Sequence, residues 1–247
     1  MKPKVVASAT NQTFKDLRKL LSTRGIQEQG LALFAGDKLI PEVLTSHFSQ
    51  VNSWITPPGG EAPPAGVEWL QLEKALFNEL DQFGTGGPLA VVKVPKFDAW
   101  DPEAEWPLGC TLFLALQHPD NVGAVVRSAA AFGVGRIVLL KECAHPYHPK
   151  AMRAAGTAVL TSAFQKGPSI KDLVSREHPL FALDMGGTPL RNVRFPDRFG
   201  LLPGIEGPGI PAHISRSARV SIPMHPGIES LNAGVAAAIA LYEWRSR

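Results

Sequence analysis

Apolar positions along this chain alternate between helical spacing and short continuous runs. Near the start, Phe14, Leu17, Leu20 and Leu21 recur every three or four residues within a basic stretch, which predicts an amphipathic helix. The run Leu31-Ala32-Leu33-Phe34 ends at Gly36 and predicts a strand and turn, with a second helix reaching Leu44. Residues 51–55 and 67–72 read as strands around the Pro/Gly-rich turn 57–64, and this mixed α/β block closes near Val94. Residues 95–107 mix prolines, acids and tryptophans without either period, as a linker packed over a surface does. Beyond them, apolar runs at 110–116, 136–140, 180–183, 199–202 and 219–222 alternate with helical or turn-rich stretches. That order predicts α/β architecture with a largely parallel sheet and covering helices. The expected organisation is an N-terminal domain over 1–94, a linker over 95–107 and a C-terminal domain over 108–247. In the last helix Leu231, Val235, Ala238, Ile239 and Tyr242 form an apolar face that must be buried, with Ser230 as candidate N-cap. The small residues from Ala233 to Ala240 admit another backbone closely, in a core or at a subunit interface.

Composition narrows the class. With 247 residues, 45% hydrophobic and 19% charged, the chain is long enough for two cores and carries no signature of disorder. A net charge of +3 permits an RNA partner without identifying one. The cations are more telling by position: Lys15, Arg18, Lys19 and Arg24 cluster near the start, and Arg245 and Arg247 lie at the other end. Either group can meet phosphates or form an ordinary solvated face. Cys110 and Cys143 have no paired-ligand spacing, so neither a disulfide framework nor a zinc site is expected. No stretch approaches the roughly 18 apolar residues of a membrane span, and a reducing cytoplasm is the expected location.

Three segments carry candidate chemistry. In the first, a strand ends at Leu116, a polar turn leads to Asn121, and a helix runs from Val122 through Arg127 to Phe132 and Gly133. Capping alone accounts for Asn121 and Gly133, but not for an arginine among small apolar residues, which is either a surface or ion-pair residue facing solvent or part of a site. In the second, Gly204, Gly207 and Gly209 follow a strand and let backbone approach a ligand, and Glu206 either fixes that turn or acts on substrate. The glycine spacing is neither the dinucleotide fingerprint nor a phosphate-binding loop. In the third, Ile222-Pro223-Met224 ends a strand, and Ser230-Leu231-Asn232 opens a helix.

In this order the segments resemble the three signature motifs of the SpoU/TrmH family of RNA ribose methyltransferases, within the SPOUT superfamily. The resemblance covers Leu112 to Tyr242. More loosely, Phe14 to Leu44 is similar to the ribosomal-protein-like RNA-binding domain found ahead of this catalytic domain. It implies a C-terminal domain with a deep trefoil knot, S-adenosylmethionine as cofactor, and a homodimer whose active site draws on both subunits. Leu202, Gly204, Ile205, Gly209, Ile222, Met224 and Leu231 match its cofactor-binding positions. Arg127 matches its catalytic arginine, and Asn121, Glu206, Ser230 and Asn232 match its other polar positions. Lys150, Arg153 and Gly156 match a stretch following the second strand, and Lys150 and Arg153 join Lys15, Arg18 and Lys19 as candidate RNA contacts.

The implied reaction is attack of a ribose 2′-hydroxyl, in structured ribosomal or transfer RNA, on the cofactor's methyl group, without a metal. A guanidinium with a pKa above about 12 serves as phosphate clamp and alkoxide stabiliser rather than as a base. Pro203, Ile205 and the Ala233-Gly234 pair depart from the family pattern and bear on the shape of the cofactor loop. Two alternatives stand beside this reading: a non-catalytic RNA-binding or ribosome-assembly protein that keeps the fold, and methylation of an RNA base.

Overall fold

The structure is a computed structural model and describes residues 2–36, 39–173, 178–204, 214 and 218–247. They divide into two compact units, Met1–Lys96 with His145–Leu160, and Phe97–Ala144 with Thr161–Arg247.

In chain order the first unit begins with β1 (Lys4–Val6), α1 (Gln12–Lys19), α2 (Thr23–Gln29), β2 (Leu31–Ala35) and α3 (Leu39–Ser46). β3 (Val51–Thr56), β4 (Glu68–Leu72), α4 (Lys74–Leu80) and β5 (Leu89–Lys93) follow. Its five-stranded sheet has the order β1-β4-β3-β5-β2, with β1, β4 and β3 parallel and β5 antiparallel to both neighbours. The basic amphipathic helix is α1: Asn11 caps it by accepting from the Thr13 N–H at 2.8 Å, and Phe14 and Leu17 enter the core with Ile55, Leu72 and Phe77.

The second unit begins with β6 (Asp98–Ala99), β7 (Gly109–Leu114), α5 (Pro119–Ala131) and β8 (Arg136–Leu139). The chain then supplies α6 (Pro149–Ala155) to the first unit, where it packs on β2. After α7 (Ala158–Thr161) come β9 (Phe164–Lys166), β10 (Leu180–Pro189), β11 (Arg198–Leu202), β12 (Ala218–Ser221) and α8 (Ala233–Arg245). The seven-stranded sheet runs β12-β10-β11-β7-β8-β9-β6, and every described pairing in it is parallel. All five apolar runs expected as strands are strands of this sheet.

Within residues 95–107, β6 extends the sheet at β9, and Trp100 and Trp106 are buried against Phe113. Each indole carries a large apolar area that favours burial, and the Arg198 guanidinium, donating to the Trp106 carbonyl at 2.7 Å, ties the segment to β11. Gly200 makes room for this packing, since a Cβ there would stand 2.6 Å from Leu180 Cδ1 and 2.9 Å from Phe113 Cε2.

The N-cap of α8 is Asn232 rather than Ser230; its Oδ1 accepts from the N–H groups of Gly234 and Val235 at 2.9 and 3.3 Å. The buried stripe of that helix is Gly234, Ala237, Ala240 and Leu241, whereas Val235, Ile239 and Tyr242 face outward. The small stripe wins because it lets α5 approach: a Cβ on Gly234 would stand 3.3 Å from the Ala124 Cβ.

Candidate active site

Because β10, β11 and β12 are parallel, their carboxyl ends open on one side of the sheet, where ligands of parallel α/β sheets bind. A cavity of about 530 Å³ lies there. Leu183 and Val220 line it from the strands, Gly204 from the turn after β11, and Ile222 and Met224 from the turn after β12. Ser230, Leu231 and Asn232 come from the approach to α8, and His118 and Asn121 from the start of α5.

Asn121 is not the helix cap; His118 occupies that position and Asn121 sits in the first turn. Its Oδ1 accepts a hydrogen bond from Asn232 Nδ2 at 2.9 Å. Asn232 therefore does two things at once: its oxygen starts α8 and its nitrogen ties that start to α5. At the far end of α5, Gly133 takes φ +72° and stops the helix as expected.

One wall was not anticipated from the sequence. Leu183 and Thr188 of β10 both pair with Val220, so residues 184–187 loop out of the ladder. Gly187 permits the crossing, since a Cβ there would lie 2.4 Å from the Arg219 carbonyl carbon, and its carbonyl accepts from Ser221 Oγ at 2.8 Å. The loop carries Asp184 and Met185 to the cavity. Asp184 Oδ1 accepts from the Gly186 N–H at 2.9 Å and Oδ2 from Arg219 Nη1 at 2.5 Å. The signal for this wall was the Gly186-Gly187 pair, two residues after the apolar run 180–183.

The motif positions are partly united. Asn121, Gly204, Ile222, Met224, Ser230, Leu231 and Asn232 line the cavity, while Leu202 is fully buried in the core beneath it. Arg127 lies further along α5, exposed, outside the cavity lining, and forms no ion pair with another described residue. Ile205, Glu206 and Gly209 lie outside the described residues. Ionic partners already engage part of the front basic cluster: Lys19 pairs with Asp16 at 2.8 Å, holding that carboxyl below its usual range, and Arg18 with Glu79 at 3.6 Å. Lys15 is exposed on the same helix. Lys150 is exposed on α6, and the Arg153 guanidinium stands 4.5 Å over the Phe83 ring. Burial pushes the Cys143 thiol up to about 12 and Cys110 higher still, so neither is a thiolate at neutral pH. Among the described residues no group of three or more metal-ligating side chains converges, and no helix is long and apolar enough to cross a membrane.

The profile of the SpoU rRNA Methylase family matches residues 111–242. Over 243 residues the chain is 44% identical to the ribosomal RNA small subunit methyltransferase G 2 of Syntrophobacter fumaroxidans, covering 97% of this chain. It spans about half the length of that relative, 48%. With the 23S rRNA (guanosine(2553)-2′-O)-methyltransferase RlmP of Bacillus subtilis it shares 26% identity, over 98% of this chain and 99% of the other. The fold matches that of the SpoU methyltransferase AviRb from Streptomyces viridochromogenes, solved in complex with the cofactor AdoMet. The TM-score is 0.80, at 24% identity, over 96% of this chain and 97% of that one.

Proposed function

The chain belongs to the SpoU rRNA Methylase family, and we propose that it transfers a methyl group from S-adenosylmethionine to a ribose 2′-hydroxyl of structured ribosomal or transfer RNA in the cytoplasm. The observation that carries this reading is the Asn232–Asn121 hydrogen bond, which joins the first and third motifs at the mouth of a cavity on the carboxyl ends of parallel strands. The names of the Bacillus relative and of the AviRb complex support the ribose and the cofactor respectively.

The cavity suits the cofactor in size and lining. Its volume of about 530 Å³ falls within the ~300–1,000 Å³ of small-molecule sites, and apolar walls with a few converging polar groups are their usual construction. Ile222, Met224 and Leu231 would hold the adenine by apolar contact, and Gly204 would let backbone groups come close. When bound, S-adenosylmethionine supplies an electrophilic methyl group on a sulfonium. The protein's share is to orient the attacking hydroxyl and favour loss of its proton. Asn121 and Asn232 set the two helix starts that frame the mouth, and Ser230 adds a hydroxyl beside them. Glu206 is assigned to positioning by its motif alone.

Arg127 acts, on this reading, from a second copy of the chain. Val235, Ile239 and Tyr242 are 49%, 38% and 60% exposed on the outer face of α8, and Phe132 of the α5 end packs edge-on against Tyr242, so both helices share one uncovered face. A two-fold pairing there buries the apolar stripe and carries Arg127 of one copy toward the cavity of the other. The trefoil threading expected of the family is part of the same proposal. Lys15, Arg18, Lys19, Lys150 and Arg153 are assigned to RNA phosphates.

The test is transfer of labelled methyl from S-adenosylmethionine to separated, unmodified ribosomal and transfer RNA, with Arg127→Ala beside wild type. Loss of an electrostatic stabiliser of the developing alkoxide is expected to slow transfer about 100-fold or more. Near wild-type transfer by R127A would remove Arg127 from the mechanism, and no transfer by folded, RNA-binding wild type would favour the non-catalytic reading.

A further inference from the structure

Asp184 is the one carboxylate among the described residues lining the cavity, and the chain goes to some length to place it there. β10 leaves its ladder for residues 184–187 and rejoins β12 at the same Val220 it left, a detour that requires a glycine at 187. Within the detour both carboxylate oxygens are fixed, one by the Gly186 N–H and the other by Arg219. Each oxygen keeps a further lone pair for a ligand.

The Arg219 ion pair decides what kind of ligand that is. The guanidinium, 2.5 Å from Oδ2, already offsets the carboxylate charge and would repel a second cation brought to the same oxygens. A neutral hydroxyl meets no such repulsion and gains a charge-assisted hydrogen bond. We propose that Asp184 accepts hydrogen bonds from the ribose hydroxyls of the bound adenosyl cofactor, and that Arg219 and the Gly186 N–H preset it for that role. This rests on the cofactor reading above. It makes Asp184 a specificity residue for the nucleoside rather than a participant in methyl transfer.

Calorimetric binding of S-adenosylhomocysteine to the 247-residue chain tests this without turnover. Wild type is expected to bind the parent about tenfold to a hundredfold more tightly than its 2′-deoxy or 3′-deoxy form, and Asp184→Ala to lose a similar factor on the parent. For the deoxy form that wild type discriminates against, the D184A loss shrinks toward none. With 5′-methylthioadenosine, which keeps both hydroxyls but lacks the amino-acid tail, the D184A loss persists in full. Asp184→Asn, isosteric and one acceptor poorer, serves if the alanine variant does not fold. Equal affinity of wild type for parent and both deoxy forms would overturn the proposal, as would a D184A loss that disappears with 5′-methylthioadenosine, since the carboxylate would then serve the ammonium. Wild type that bound none of these nucleosides would overturn the cofactor reading itself, and this proposal with it.

Discussion

Asn232 accepts two backbone N–H groups at the start of α8 and donates to Asn121, and only the second of these contacts is specific to the candidate site. Aspartate caps a helix about as well as asparagine but has no amide hydrogen to donate. Asn232→Asp is therefore expected to leave the melting temperature nearly unchanged and to lower kcat about tenfold, the equivalent of ~1.4 kcal/mol. Thermal unfolding measured beside methyl transfer separates the two roles, and undiminished transfer would make the Asn121 contact merely structural. At this scale much was legible: the motif order led to seven of the cavity residues, because each motif follows a strand end and parallel strands bring those ends together. Asp184 was missed, because no periodicity marks a strand that leaves its ladder and returns, and the Gly186-Gly187 pair was its one trace in the sequence. The ion pairs of Lys19 and Arg18 were hidden for a different reason, since Glu79 is distant in sequence and Asp16 reads as an ordinary polar helix position.

Among the elements, β11 and the loop after β8 offer separate tests. Gly200 lies under Trp106, Leu180 and Phe113 with no room for a side chain, so Gly200→Val is expected to destabilise the second unit by about 1–3 kcal/mol. Urea unfolding with an unchanged midpoint would contradict that packing. Glu142 reaches from the loop after β8 to cap the turn at Ser169 and Ile170. Partial burial pushes its carboxyl up, but hydrogen bonds from the Ser169 hydroxyl and the Ile170 N–H, at 3.0 Å, outweigh it and hold the pKa below the ordinary 4.5. A depressed carboxyl stabilises the fold above its unfolded value and loses that contribution as pH falls through its folded value. Stability is therefore expected to decline below about pH 4.5, and Glu142→Gln to be less stable at neutral pH with a flatter decline in that window. Identical pH profiles for the two proteins would contradict the assignment. The element pattern also shows where periodicity misleads: in α8 it marked the larger side chains as the buried face, yet the alanines and Gly234 are inside because close approach to α5 favours the smallest residues.

For the whole molecule, the outward face of α8 and the exposed Arg127 would share one explanation under the proposed function, a two-fold pairing in which each cavity is completed by the other copy. Ile239→Asp places a charge in that apolar stripe, and is expected to shift the protein from dimer to monomer in sedimentation and to abolish transfer while leaving the fold intact. Mixing R127A with Asn232→Ala, each expected to be impaired alone, is expected to raise activity above that of either, because mixed dimers would hold one site with both residues native. No gain in the mixture, once subunit exchange is verified, would place Arg127 and Asn232 of one chain in the same site. The family was readable from three short motifs and the parallel architecture from the alternation of apolar runs with helical stretches; the uncovered face was not, because apolar spacing looks the same whether a core or a second copy buries it. The measurement that bears most directly on the function is the identity of the methylated nucleoside formed from labelled S-adenosylmethionine and unmodified RNA. The expected product is a 2′-O-methylated nucleoside, recovered after alkaline hydrolysis within an uncleaved dinucleotide, made by wild type and not by R127A. Label found instead on a base, in mononucleotides fully released by alkali, would contradict ribose methylation.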